Sequence, residues 1–352
     1  MLVPVQGDEI RERERRPAAG VPFDRKGTVE MRLNRLASPG LAAIGLLALV
    51  FHCGARAADV QRVLSIAPAG ASAASAPPAQ GRTAAAELFD AGQRALLERD
   101  YPAALNNLQQ AAGQGHAQAQ SALAGMYLRG EGVAADDAQA LEWYRKAAGQ
   151  GLAEAQATLG LMYANGRGVA MDDGAAVHWF RLAAEQGNAL GQSNLGVMYQ
   201  EGRGVDKSDT EAANWIRKAA LQGEPLAQYN LGLLFRDARG VEEDVVEGAW
   251  WVTRSAEQEN ADAQASLGLM YAEGRGVPRD EAVAVRWWRK GAEQGNALAQ
   301  YYLGASLEEG RGVEADPEQA RKWLLSSARQ GLALARDYLW AHGNVSVESA
   351  AR

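Results

Sequence analysis

From Gly115 onward one phrase returns every 36 residues without insertion or deletion, and nothing else in the chain restricts its fold so tightly. The copies open at Gly115, Gly151, Gly187, Gly223, Glu259 and Gly295, and a truncated one opens at Gly331. The text GLAEAQATLGLMYANGRGV (151–169) comes back as GNALGQSNLGVMYQEGRGV (187–205) and as ENADAQASLGLMYAEGRGV (259–277). A fixed period of this size belongs to a stacked array, in which no unit can bury its own apolar face and its neighbours do so. The 352 residues therefore form one elongated solenoid rather than the two or three globular domains that length alone would suggest. Arrays of this kind more often hold a partner than perform chemistry.

Within a copy, apolar and small residues first fall at three- and four-residue spacing, the period of an amphipathic helix. In the copy at 151 that face is Ala155, Leu159, Met162 and Tyr163. Gly160 sits in mid-helix, where it costs about 1 kcal/mol relative to Ala. It recurs as Gly196, Gly232, Gly268 and Gly304, which calls for a packing reason, most simply the close approach of another helix backbone. The turn Gly166-Arg167-Gly168-Val169 ends this helix. An N-capping residue follows in each copy (Asp136, Asp172, Ser208, Asp244, Asp280, Asp316) and opens a second helix. That helix carries a Trp at one constant point: Trp143, Trp179, Trp215, Trp251, Trp287 and Trp323. Such constancy reads as core packing between repeats. Beside the column Trp250, Tyr144, Phe180 and Trp288 vary in identity and are expected to be partly exposed.

Removing residues 1–57 leaves 27 Lys/Arg against 37 Asp/Glu, so the body is more acidic than the chain's formal −7. That balance argues against nucleic acid, whose binding depends on cationic contacts to phosphates. Cys53 is the single cysteine, so neither an intrachain disulfide nor a thiolate metal site can form. His116, His178 and His342 stand alone, without the paired spacing of a metal site. No nucleophile elbow, Ser-x-x-Lys or Walker loop occurs. The recurring Gly-Arg-Gly-Val lacks the Lys-Ser/Thr of a phosphate cradle and reads as a turn. No catalytic, cofactor-binding or metal-binding residue is expected.

Residues 1–30 are polar and charge-mixed, and Met31 opens a different text. A basic MRLNR is followed by the uncharged stretch from Leu36 to Ala55 and by Ala55-Arg56-Ala57, the layout of a secretory signal with cleavage before Ala58. On this reading 1–30 precedes the true start, 31–57 is a signal peptide and the protein is periplasmic or secreted. The alternative is an uncleaved inner-membrane anchor. Cys53 as a lipid-attachment site is disfavoured by His52 before it. Residues 58–82, rich in Ala, Ser and Pro, read as a disordered linker.

The text G-x-A-x-A-Q-x-x-L-G-x-M-Y-x-x-G-x-G-V-x-x-D-x-x-x-A-x-x-W-x-x-K-A-A-x-Q resembles the Sel1-like repeat, a relative of the tetratricopeptide repeat. It spans 115–330 in six copies and 331–342 in part, where a C-terminal capping helix is expected. Residues 83–114 resemble a divergent tetratricopeptide-like cap through Leu88, Gly92, Tyr101, Ala104, Leu108 and Ala111. The resemblance implies an all-α fold, a right-handed α/α superhelix of antiparallel helix pairs, about seven in number. Two departures flank the fourth copy: Ala238 replaces the first Gly of its turn, and Glu259 replaces the opening Gly of the next.

By the same resemblance the first helices line a concave surface, reached by the fourth, seventh, eleventh, fourteenth and fifteenth residues of each copy. The eleventh gives an apolar strip including Leu233 and Leu269, the seventh contributes Tyr229 and Tyr301, and the fifteenth gives Glu201, Asp237, Glu273 and Glu309. An apolar floor with an acidic rim suits an extended or helical protein segment bearing Lys/Arg. The competing reading is a solvated helix edge, with those acids answered by Arg203, Arg239, Arg275 and Arg311 two residues on. The resemblance implies a non-enzymatic adaptor of the bacterial cell envelope. Its alternatives are a polysaccharide-binding or exopolysaccharide-export scaffold, which needs exposed groove aromatics, and a β-lactamase-like enzyme, whose branch has paired cysteines that this chain lacks.

Overall fold

The structure, a computed structural model, describes residues 83–342, so the expected extension, signal and linker lie outside the described residues. Among the described residues there are fifteen α-helices and no strand. They pair in chain order: α1 (Ala84–Leu97) with α2 (Tyr101–Gly113), α3 (Ala117–Arg129) with α4 (Asp137–Gly149), and α5 (Ala153–Asn165) with α6 (Asp173–Glu185). Then come α7 (Ala189–Glu201) with α8 (Asp209–Leu221), α9 (Pro225–Arg236) with α10 (Val245–Glu257), and α11 (Ala261–Glu273) with α12 (Glu281–Glu293). The last pair is α13 (Ala297–Glu309) with α14 (Pro317–Arg329), and the single helix α15 (Ala333–Ala341) follows. Each second helix also packs on the first helix of the next pair, which makes the array an all-α solenoid.

Local chemistry sets the helix ends. The side chains of Asp136, Asp172, Ser208, Asp244, Asp280 and Asp316 all accept N–H bonds from the first turn of their helices. Gly130, Gly166, Gly202, Gly274 and Gly310 take left-handed angles to close the first helices. In the departing copy α9 ends at Arg236 and Ala238 is forced to φ 53°, while Glu259 adopts φ 64°. An L side chain in that region costs about 1–2 kcal/mol. Ala238→Gly should therefore raise stability by about 0.5–1 kcal/mol once the added freedom of the unfolded chain is subtracted. A lower urea midpoint for that variant would refute the strain.

The mid-helix glycines answer a close approach, chiefly of a side chain. A Cβ on Gly160 would lie 2.6 Å from the Phe180 ring, and one on Gly304 would lie 2.7 Å from Leu324 Cγ and 3.1 Å from the Ala320 carbonyl. This reverses the expectation for the second helices. Phe180, Ile216, Val252, Trp288 and Leu324, one residue after the Trp column, point into the groove left by the glycine and are buried, as is Tyr144 in the first copy, where Ala124 takes the glycine's place. The column itself is half-buried except for Trp251, and Lys146, Lys218 and Lys290 lie over the rings of Trp143, Trp215 and Trp287 at 3.9, 3.7 and 4.2 Å. In those three units the indole packs against the preceding unit and also meets a cation. The inward position instead takes whatever shape the glycine gap admits. Of its neighbours, only Trp250 is exposed as anticipated.

Buried glutamines stitch the units together. Gln156 Nε2 donates to the Ala148 carbonyl at 3.2 Å, and its Oε1 accepts from Gln186 Nε2 at 2.7 Å. The same chain of bonds runs through Gln120, Gln192, Gln228, Gln264 and Gln300. Each buried amide is thereby satisfied, which is the condition for keeping it in an Ala-rich core.

Candidate interaction surface

First helices of neighbouring units touch directly at α5–α7 and α11–α13, and among the described residues no pair of second helices packs comparably. That spacing puts the first helices on the inner side of the array. There Leu161, Val197, Leu233 and Leu269 form a half-buried apolar strip, one residue per unit, whereas Gly125 and Ala305 at the same position are buried. Tyr229 is half-buried, and its hydroxyl lies 2.9 Å from Ser266 Oγ. Burial pushes its phenol up to about 12, with the Ser266 bond acting the other way. Tyr301 is only 6% exposed, shut between Tyr302 and Tyr338, and serves packing rather than a surface. Tyr302 is likewise buried and stacked on Trp288 at 4.9 Å; its hydroxyl lacks a partner, and desolvation holds its pKa well above the ordinary phenol value. The groove tyrosines thus give no open aromatic platform for sugar.

Most of the acidic rim is answered within the chain. Both carboxylate oxygens of Asp237 accept from Arg236, at 2.6 and 2.8 Å. Glu201 lies 3.5 Å from Arg203, and Glu309 lies 2.7 Å from Arg311 and accepts from the Tyr338 hydroxyl at 3.2 Å. Glu273 is exposed and, alone of the four acids, makes no ion pair among the described residues.

The turn arginines perform a task that the motif did not reveal. Arg167 donates from Nε to Asp137 and from Nη2 to the Leu128 carbonyl, both at 2.9 Å. Arg203 repeats this with Asp173 and Ala164, and Arg239 with Asp209 at 2.7 Å. Each pins a turn to the preceding unit, and with about a third of the acid exposed it contributes under about 1 kcal/mol. Its signal was present as an acid directly after the cap, thirty residues before each Arg. The fourth copy has Val245 there, and Arg275 makes no ion pair among the described residues. His116 caps α3 by accepting from the Ala119 N–H at 3.2 Å. No group of three metal-ligating side chains comes together among the described residues.

The Sel1 repeat family model matches seven consecutive segments: 77–116, 117–152, 153–188, 189–224, 225–260, 261–296 and 297–332. The first takes in the segment read as a divergent cap, and its Gly92 faces Leu108 as Gly160 faces Phe180. Among solved structures, the chain is similar to a protective antigen of uropathogenic Escherichia coli displaying an SLR fold, at 38% identity and TM-score 0.63. That match covers 75% of this chain but only 58% of the antigen. It is also similar to a Sel1 repeat protein from Oxalobacter formigenes, at 32% identity and TM-score 0.64, over 70% of this chain and 97% of that one. A search of curated proteins returned no match.

Proposed function

The chain belongs to the Sel1 repeat family, whose arrays generally act as non-catalytic scaffolds for protein–protein interaction, and we propose that this one is an adaptor of the bacterial cell envelope. Its inner face holds an extended or helical segment of a partner protein. The observation that carries this reading is the strip of Leu161, Val197, Leu233 and Leu269, half-open at a constant step along the first helices. A strip of that kind accepts side chains from a segment laid across the units. Exposed Glu273 favours a Lys or Arg in that segment. Export would follow from the signal at 31–57, with the mature chain beginning at Ala58.

A photo-crosslinking residue placed at Leu233 or Leu269 of the full chain in its bacterial host should capture one and the same protein. The same residue at Asn214, exposed on a second helix, should not. Leu269→Glu should weaken that complex at least about tenfold, because a carboxylate cannot enter an apolar contact unpaired. Equal capture from Asn214 would overturn the groove. Intact mass checks export separately: a species beginning at Ala58 supports it, and a full-length membrane-bound product overturns it.

A further inference from the structure

Exposed large apolar side chains are scattered among the described residues (Leu97, Met171, Leu221, Leu226, Trp340), but Val246 and Trp250 are the two that share one helix. Val246 is 65% and Trp250 47% exposed, one helical turn apart on α10. At the position of Trp250 the other copies carry Glu142, His178, Asn214, Arg286 and Lys322. Packing of the array therefore does not require the indole. Around it the outward face is acidic, with exposed Glu243 and Glu247. One unit further on, the outward face of α12 is basic: Arg286 and Arg289 are exposed and make no ion pair among the described residues. An acidic, apolar stripe thus lies beside a cationic one.

We propose that the outer faces of α10 and α12 form the interface of a homodimer. As second helices of successive units, α10 and α12 run in the same direction. A two-fold axis in the interface, parallel to both, lays α10 of each copy over α12 of the other, an isologous arrangement. Because the 36-residue period is unbroken, Trp250 then stands level with Arg286 of the partner subunit, and Glu247 lies within a turn of it. The guanidinium gains the part of the indole that Arg254 leaves open, and a carboxylate beside it. A two-fold axis across the helices would set α12 on α12 and the arginines against themselves, so charge selects the first arrangement. Arg254 and Lys290, which would also meet, are already stacked over Trp250 and Trp287 at 4.4 and 4.2 Å. Glu257 and Glu293 of the partner subunit fall at the rim, where salt screens them. Two 13-residue helices side by side present a face roughly 20 Å square, about 800 Å² buried in all, the size of a weak and transient interface. Such a dimer is weak, and its dissociation constant falls at the upper end of the range tested below.

Sedimentation equilibrium of the full chain from about 1 to 100 μM should show reversible dimerisation. Val246→Glu with Trp250→Glu should raise the dissociation constant at least about tenfold, and so should Arg286→Glu with Arg289→Glu, with helical circular dichroism unchanged. Adding Glu243→Lys and Glu247→Lys to the second variant restores opposite charges across the interface and should recover dimerisation. A chain that stays monomeric throughout, a dimer indifferent to both double variants, or failure of the charge exchange to rescue would each overturn the proposal. Capture of another protein on this face without self-association would do so as well.

Discussion

Replacing Gly168 by Ala is expected to cost about 3–5 kcal/mol, while the same change at Gly166, two residues earlier in the same turn, should cost about 1–2 kcal/mol. Both glycines have left-handed angles, φ 65° at Gly166 and 70° at Gly168, so both variants pay the same backbone penalty. The difference is what the new methyl would touch. At Gly166 the nearest atom is the Met171 nitrogen at 3.4 Å, an ordinary contact. At Gly168 the methyl would run into the Asp137 carbonyl, with its carbon at 2.7 Å, and that backbone belongs to the first turn of α4. A helix N-terminus cannot yield without separating two units. The natural Ala238 occupies the more tolerant position, whereas its partner Gly240 remains and abuts Asp209 in the same way. Urea unfolding of the two single variants checks this, and equal midpoints would sink it.

The second large effect is Phe180→Ala, expected to cost about 4 kcal/mol. Phe180 is among the largest fully buried side chains, and its ring lies against Gly160, which has no side chain to collapse into the void. Its neighbour Trp179 is larger but half-buried, so Trp179→Ala should cost less than Phe180→Ala. In a one-dimensional array the loss falls on one unit and both of its seams, so the Phe180 variant should unfold in two steps rather than one. A greater loss for Trp179→Ala in calorimetry or urea titration would restore the Trp column to the core.

Most of the architecture was legible in the primary text because its determinants are local. Caps such as Asp172 and Ser208 act within one helical turn. Glycines such as Gly166 close a helix by their own backbone freedom. A period without insertions leaves neighbouring units only one way to stack. The candidate surface was legible in part: Leu161, Val197, Leu233 and Leu269 are half-buried, but Tyr301 is closed and three of the four rim acids are engaged. Spacing names positions along a helix and not how far each side chain is covered by the next unit. The distinction between Trp179 and Phe180 turns on a single residue step, about 100° around the helix, which amphipathic patterning resolves poorly when both residues are aromatic.

The sequence by itself determined the helix count per unit, the helix ends, the turns and the stacking period, because each depends on contacts within a few residues. Only the tertiary structure decided which face of the second helix enters the glycine gap and why Gly168 tolerates nothing larger. It alone showed how Arg167 reaches back thirty residues to Asp137 and that Trp250 remains half-exposed on its second helix. Those relations join residues from neighbouring units, and their distances are set by how the helices stack, which no local preference encodes.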